Sequence, residues 1–340
     1  MTPRTRFLRA LKREPTDTVA VGNPTSIITT DLMEQTGSYF PEAHTDADTM
    51  AQLAAAGYEI LGYDTIAPYF SVQQEAAAFG CRVNWEDKEH MPTVRGHLFE
   101  TPDDISIPED YLTRPPTRAV LDALRILKRR YDDEVALIGK AMGPWTLAYH
   151  LFGLEPFLIR IIDAPDEVHA ILERLMKATV MFAQAQIEAG ADCITLPDHL
   201  TGDLCSAATY RDFLLPIHQQ IRAQLDIPII LHICGATLDR LDYIAQTGFD
   251  AFHFDSKNDP YKTVEIAGDR IALVGHINNP ETLYKGKMEQ IDREVADAIQ
   301  AGVAVIAPEC AVPLNMDSKG LKRIVDAARA YAKGVKDDGA

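Results

Sequence analysis

The sequence contains no apolar run approaching the roughly 20 residues needed to cross a bilayer, no run of lysine and arginine longer than the three residues 128–130, and only five cysteines in 340 residues. Without an apolar span, no membrane-crossing helix is expected. The N-terminus, MTPRTRFLRALKREP, is amphipathic and lacks the apolar centre of a secretory signal, so a soluble, cytoplasmic protein is expected. A formal charge of −17, with acidic residues spread along the chain, works against gripping a phosphate backbone, which takes clustered cations. No nucleic acid partner is expected. The cysteines, Cys81, Cys193, Cys205, Cys234 and Cys310, are too few and odd in number for a disulfide framework, which leaves metal or thiol chemistry as their more plausible use. A hydrophobic fraction of 46% over this length suffices for one large core or two average ones.

What is present is an alternation. Short apolar, β-branched runs bounded by turn residues fall at 19–22, 64–70, 135–142, 192–196, 228–234, 251–255, 271–277 and 303–308, and each reads as a buried strand. Amphipathic stretches such as 165–189, 210–225, 238–247 and 288–301 lie between them, and Gly190, Gly248 and Gly302 stand where a helix ends and the next strand begins. Alternating helices and continuously apolar strands imply a parallel sheet covered by helices, and eight such strands imply closure into a single (β/α)8 TIM barrel. A doubly wound open sheet is the alternative. The barrel is expected to span residues 1–335, with a frayed tail at 336–340. The segment 71–130 is too long for one crossover and contains a hairpin-like stretch, 81–85 with 92–95. It reads as an insertion over the barrel mouth, where such material shapes a substrate site or a docking surface.

The fifth strand ends in Leu231-His232-Ile233-Cys234-Gly235. Residues i and i+2 of a strand share a face, so His232 and Cys234 project together while Leu231 and Ile233 face the helices. That puts the pair inside the barrel at its C-terminal end, where barrel enzymes place catalytic groups. The eighth strand ends in Ala307-Pro308-Glu309-Cys310 and brings a third soft donor to the same rim. Two thiolates and an imidazole suit Zn²⁺, and three protein ligands leave a fourth position open, the mark of a catalytic rather than a structural ion. Free cysteines are often core residues and H-x-C alone is a weak pattern; the second strand-end cysteine brings the metal reading level with the core reading. Cys193 reads as core, and neither Cys205 nor Cys81 has a histidine or cysteine at ligand spacing.

Other strand ends are polar as well. Asp198 and His199 follow the fourth strand, Asp255, Ser256 and Lys257 the sixth, and His276 and Asn278 the seventh. Asp255 is a fourth metal ligand, a group that positions one, or the cap of a following helix. His253 and His276 are interior histidines or functional ones. Lys140 is a cation within an apolar strand and needs an anionic partner or a wet cavity. The turn Gly143-Pro144-Trp145-Thr146 opens a helix whose free N–H groups could receive an anion or simply pack a loop. The resulting candidates are Asp255 and His276 for catalysis, His232, Cys234 and Cys310 for the metal, and Lys140, Asp198 and Asn278 for substrate.

At these residues the chain resembles the uroporphyrinogen decarboxylase superfamily, and within it the methylcorrinoid-dependent methyltransferases that deliver a methyl group to coenzyme M or tetrahydrofolate. The most specific match is H-x-C followed far downstream by one cysteine, here His232, Cys234 and Cys310, which that branch uses for zinc. Weaker family-like segments are 13–17, 139–153, 197–216 and 275–278. The decarboxylase branch needs no metal and grips its substrate carboxylates with a basic Met-Arg-Gln-Ala-Gly-Arg segment; the corresponding residues 21–30 contain no arginine, which favours methyl transfer. The resemblance implies attack on a cobalt-bound methyl group by an acceptor activated at zinc, leaving cobalt(I). Tetrahydrofolate is slightly preferred over a thiol as that acceptor. No Asp-x-His-x-x-Gly corrinoid motif is present, so the corrinoid is expected on a partner protein, with a homodimer also open. A metal-free decarboxylase-type lyase and a noncatalytic partner of a corrinoid protein are the competing readings.

Overall fold

The computed structural model describes residues 1–337. All eight apolar runs contain strands: β1 Ala20–Val21, β2 Thr65–Ile66, β5 Ala136–Lys140, β6 Cys193–Pro197, β7 Ile229–Ile233, β8 Ala251–Phe254, β9 Ala272–Ile277 and β10 Val305–Pro308, while β3 Arg82–Asn84 and β4 Thr93–Arg95 form the antiparallel hairpin. The eight long-range strands pair in parallel in the order β1-β10-β9-β8-β7-β6-β5-β2. Between the ends of that order, β1 and β2 are joined by individual bonds. Asp64 N–H donates to the Val21 carbonyl at 2.9 Å, Val21 N–H to the Asp64 carboxylate at 2.9 Å, and Asn23 N–H to the Thr65 hydroxyl at 3.0 Å. The same Asp64 receives Arg6 at 2.6 Å and Arg329 at 2.8 Å, so the first and last helices clamp the seam. This is the TIM barrel, not the open sheet.

Two apolar layers follow from the alternation. Leu231, Ile233, Phe252 and Phe254 belong to the large core between strands and helices. Ala136, Ile138, Cys193, Ile230, Ala251, Ala272, Val274 and Ala307 face the barrel axis, packed with Phe7, Ala10 and Leu11 of the N-terminal helix Pro3–Leu11. That helix seals the end at which the strands begin: Arg4 N–H donates to the carbonyl of Glu134, just ahead of β5, at 3.1 Å, and Arg4 pairs with Asp192, just ahead of β6, at 2.9 Å. Cys193 is fully buried in this interior.

Between β2 and β5 lie helix Gln73–Phe79, the β3–β4 hairpin, a short 3-10 turn and helix Pro115–Tyr131. The hairpin contacts the connection between β1 and β2: Trp85 stacks on His44 at 5.5 Å and Lys88 pairs with Glu34 at 3.0 Å. The connection is anchored by Glu75, which accepts Met142 N–H at 2.6 Å, Tyr111 at 3.0 Å and Tyr69 at 3.2 Å, all in the interior. Burial pushes this carboxyl up to about 7. The last helix runs over Lys319–Asp337 and so includes residues 336 and 337 of the expected tail; the rest of that expectation, 338–340, lies outside the described residues. Among the described residues no helix is long and apolar enough to cross a membrane.

Candidate metal centre

β7 and β10 deliver the three soft donors to one point. Cys234 Sγ lies 2.9 Å from Cys310 Sγ and 3.1 Å from His232 Nε2, and Cys310 Sγ is 3.5 Å from the same nitrogen. His232 is buried, and the two thiols are half-buried at the open end. Burial, followed by the neighbouring His253 and His199, keeps His232 neutral well below the usual histidine range, as a metal ligand must be. Its Nδ1 faces the His253 carbonyl at 3.3 Å, which leaves Nε2 as the free lone pair aimed at the sulfurs. The contact with Cys310, followed by burial, pushes the Cys234 thiol up, whereas the same contact holds Cys310 down. Two sulfurs this close cannot both be thiolates without a cation between them. The donor set fits zinc: a tetrahedral ion with Zn–S of about 2.3 Å and Zn–N of about 2.0 Å requires donors roughly 3.3–3.8 Å apart, a small expansion of the triangle present.

The loops carrying these donors are tied to one another by carboxylates and amides. Asp255, at the end of β8, accepts Gly235 N–H and Lys257 N–H, each at 2.9 Å, which pins the residue following Cys234. Asn258 accepts Thr237 N–H at 2.7 Å and donates to the Gly235 carbonyl at 2.9 Å. Glu309, beside Cys310, accepts Ser256 N–H at 3.0 Å and Asn279 N–H at 2.8 Å. Asn258 and Glu309 escaped the sequence reading; the one available signal was a carboxylate directly preceding a strand-end cysteine.

The remaining candidates separate. Lys140 is buried, faces the barrel axis, and its Nζ donates to the Tyr69 carbonyl at 2.9 Å. Burial pulls this ammonium down to about 8, against the opposing influence of the Cys310 sulfur. No carboxylate ion pair with Lys140 occurs among the described residues; its ammonium also stands 5.2 Å from the centroid of the Tyr69 ring. Asp198 is fully buried, with one oxygen on Thr146 N–H at 2.8 Å and the other on His218 Nε2 at 3.0 Å; Tyr210 bonds the far side of His218 at 2.9 Å. Both Asp198 oxygens are thus engaged inside the protein. Asn278 caps the turn Asn279–Leu283 by accepting Glu281 N–H at 2.6 Å and donates to Ser256 at 2.7 Å. His276 is not brought to the cluster. Its ring lies 5.2 Å from Phe254 of the helix-facing core, and the carboxylates acting on it are Glu294, Asp259 and Asp297. Gly275 immediately before it has φ +144°, and an added Cβ there would meet the Phe254 carbonyl at 2.7 Å; this left-handed residue breaks the alternation that would aim His276 inward. His199, in contrast, stands beside the metal donors: one of its ring nitrogens lies within 4.8 Å of the donors of His232 and Cys234.

The chain belongs to the uroporphyrinogen decarboxylase (URO-D) family, matched over residues 2–331. It is 33% identical over 333 residues to a methylcobamide:CoM methyltransferase of Methanosarcina barkeri, covering 97% of this chain and 98% of that one. A solved methyltransferase from Methanosarcina mazei superposes with a TM-score of 0.94 at 31% identity, over 97% of this chain and 99% of that chain. A uroporphyrinogen decarboxylase of Alkalilimnicola ehrlichii is 30% identical over 321 residues, covering 86% of this chain and 83% of its own.

Proposed function

We propose that this protein transfers a methyl group from a methylated corrinoid, carried on a partner protein, to a small anionic thiol of the coenzyme M type, at a zinc ion held by His232, Cys234 and Cys310. The observation that carries this reading is the convergence of two thiols and an imidazole within 3.5 Å of one another at the barrel mouth, in a chain with full-length relatives named methylcobamide:CoM methyltransferases. The slight preference for tetrahydrofolate has no counterpart in those names. Zinc would supply the Lewis acidity that keeps a thiol deprotonated at neutral pH.

The chain's own residues do the rest. Cys234 and Cys310 as thiolates cancel the ion's charge, so the acceptor sulfur keeps its nucleophilicity. His232 donates its Nδ1 proton to the His253 carbonyl, which fixes the ring and the tautomer. Asp255 positions Cys234 through the Gly235 N–H and is not itself consumed in the reaction. Lys140 receives the anionic end of the acceptor, and Asp198 and Asn278 hold the loops around it through the backbone. In the transfer the cobalt–carbon bond breaks with its electron pair left on cobalt, and a carbon–sulfur bond forms.

Anaerobic incubation of the zinc-loaded protein with methylcobalamin and coenzyme M, in parallel with tetrahydrofolate, tests the reading. Loss of the methylcobalamin absorbance with formation of the methylated thiol is expected in the first arm. Zinc-loaded protein that methylates neither acceptor overturns it.

A further inference from the structure

Of the three soft donors, Cys310 stands furthest from its strand. His232 lies within β7 and Cys234 directly follows it, whereas β10 ends at Pro308, two residues before Cys310. Past that end, Glu309 N–H donates to the Ile277 carbonyl at 2.9 Å and Val312 N–H to the Ser26 carbonyl at 3.0 Å, so Cys310 and Ala311 fall in the gap between two backbone bonds. Asn279, buried at the start of the turn after β9, reaches into this gap. Its Nδ2 donates to the Cys310 carbonyl at 3.1 Å and to the Ala311 carbonyl at 3.0 Å, and its own N–H donates to the Glu309 carboxylate at 2.8 Å. Two carbonyls can be met only by the nitrogen of a side-chain amide, so the amide has one possible orientation. In that orientation its Oδ1 is buried and has no hydrogen-bond partner among the described residues. A bare acceptor in the interior is unfavourable; the amide is turned for the sake of its donors.

The peptide joining Cys310 to Ala311 is trans, so the Cys310 carbonyl and the Ala311 N–H point to opposite edges of one rigid plane. Asn279 holds the first edge, and the second bonds to the Cys310 sulfur. Fixing one aims the other. Glu309 cannot do this, because its carboxylate is spent on the N–H groups of Ser256 and Asn279. Resting on the zinc reading above, we infer that Asn279 is the positioning residue of Cys310: by gripping the Cys310–Ala311 peptide it keeps the Ala311 N–H on the sulfur and the sulfur at the metal. An N–H bonded to a thiolate takes up part of its charge. The turn that carries Asn279 is of the wide π type, with Leu283 N–H on the Asn278 carbonyl at 3.0 Å and Tyr284 N–H on the Asn279 carbonyl at 2.8 Å, a form that recurs at functional sites.

The test titrates the full-length wild-type, Asn279→Leu and Thr282→Val proteins with Co²⁺ against a chelator while the thiolate-to-cobalt band is recorded. Leucine fills the space of Asn279 without its donors. It is expected to weaken cobalt binding roughly 10- to 100-fold and to move the band to longer wavelength, since a sulfur relieved of its N–H gives charge to the metal more readily. Thr282 belongs to the same turn, but its hydroxyl donates to Glu294 at 2.6 Å, so Thr282→Val reports damage to the turn alone and should keep the wild-type affinity and band. Asn279→Asp keeps the shape of the side chain, lacks the N–H donors and should follow Asn279→Leu; it carries the test if the leucine protein does not fold. Affinity and band unchanged in the Asn279 variants, or altered equally by Thr282→Val, overturn the inference and leave the zinc reading standing. Wild-type protein that binds neither cobalt nor zinc overturns both.

Discussion

The two ends of the barrel are built from the same eight strands and solve opposite problems. At the end where the strands begin, the axis is filled by alanines, Ile138, Ile230 and Val274 beneath Phe7 of the N-terminal helix, and the charged groups there are paired, as with Asp64 between Arg6 and Arg329. At the other end the axis carries Lys140, His232, His253 and two thiols, with ring nitrogens of His199 and His253 left unpartnered. Burial lowers Lys140 to about 8, so its charged form at neutral pH is held at a cost in folding free energy, whereas His253, lowered to about 4, stays neutral there. One end is optimised for stability, and the other keeps lone pairs and a cation in reserve for groups the chain does not contain.

That contrast can be broken at either end. The largest effect is expected from Cys310→Ser, which removes a donor: zinc content measured on the purified protein should fall to background and methyl transfer by more than about 100-fold, beyond the 10- to 100-fold loss typical of a missing positioning group. The unfolding midpoint of the apoprotein should stay near wild type. Phe7→Ala is the mirror experiment, and denaturant unfolding should show a loss of about 3–5 kcal/mol with zinc stoichiometry intact. Lys140→Met should raise KM for an anionic thiol about tenfold, the equivalent of one charge-assisted hydrogen bond, and leave KM for a neutral thiol unchanged; equal effects on both thiols would remove Lys140 from the acceptor site. The smallest effect concerns Glu75. In the fold its carboxyl keeps its proton up to about 7, and in the unfolded chain it loses it near 4.5. The folded state therefore binds more protons in that window, and stability declines as pH rises from about 4.5 through 7. Glu75→Gln should flatten this part of the stability profile measured from pH 5 to 8.

Much of this architecture was readable from residue order, for reasons that also mark where reading stops. Strand alternation placed His232 and Cys234 together and sent Leu231 and Ile233 to the helices, and the helix Met288–Ala301 begins and ends where its pattern does. β1 and β2 are shorter than their apolar runs because they flank the seam, where bonds from Asp64 and Thr65 replace a regular ladder. Alternation failed at His276 because Gly275 departs from extended geometry. Asp198 looked like a ligand-binding carboxylate until its partners, Thr146 and His218, were seen to come from segments 52 and 20 residues away. The network of Glu75 with Tyr69, Tyr111 and Met142 has no local pattern at all, since its members meet only after the chain between β2 and β5 has folded.

The helix that stoppers the barrel also dictates a kinetic order. With Phe7, Ala10 and Leu11 closing one end, the sulfur and nitrogen donors are approached from the opposite end, which a bulky corrinoid carrier would cover. A small thiol would then have to be seated before the carrier arrives, and the methylated product would be trapped until the carrier departs. Steady-state turnover should accordingly follow a compulsory order, with excess carrier protein slowing the reaction by blocking the entrance to vacant enzyme.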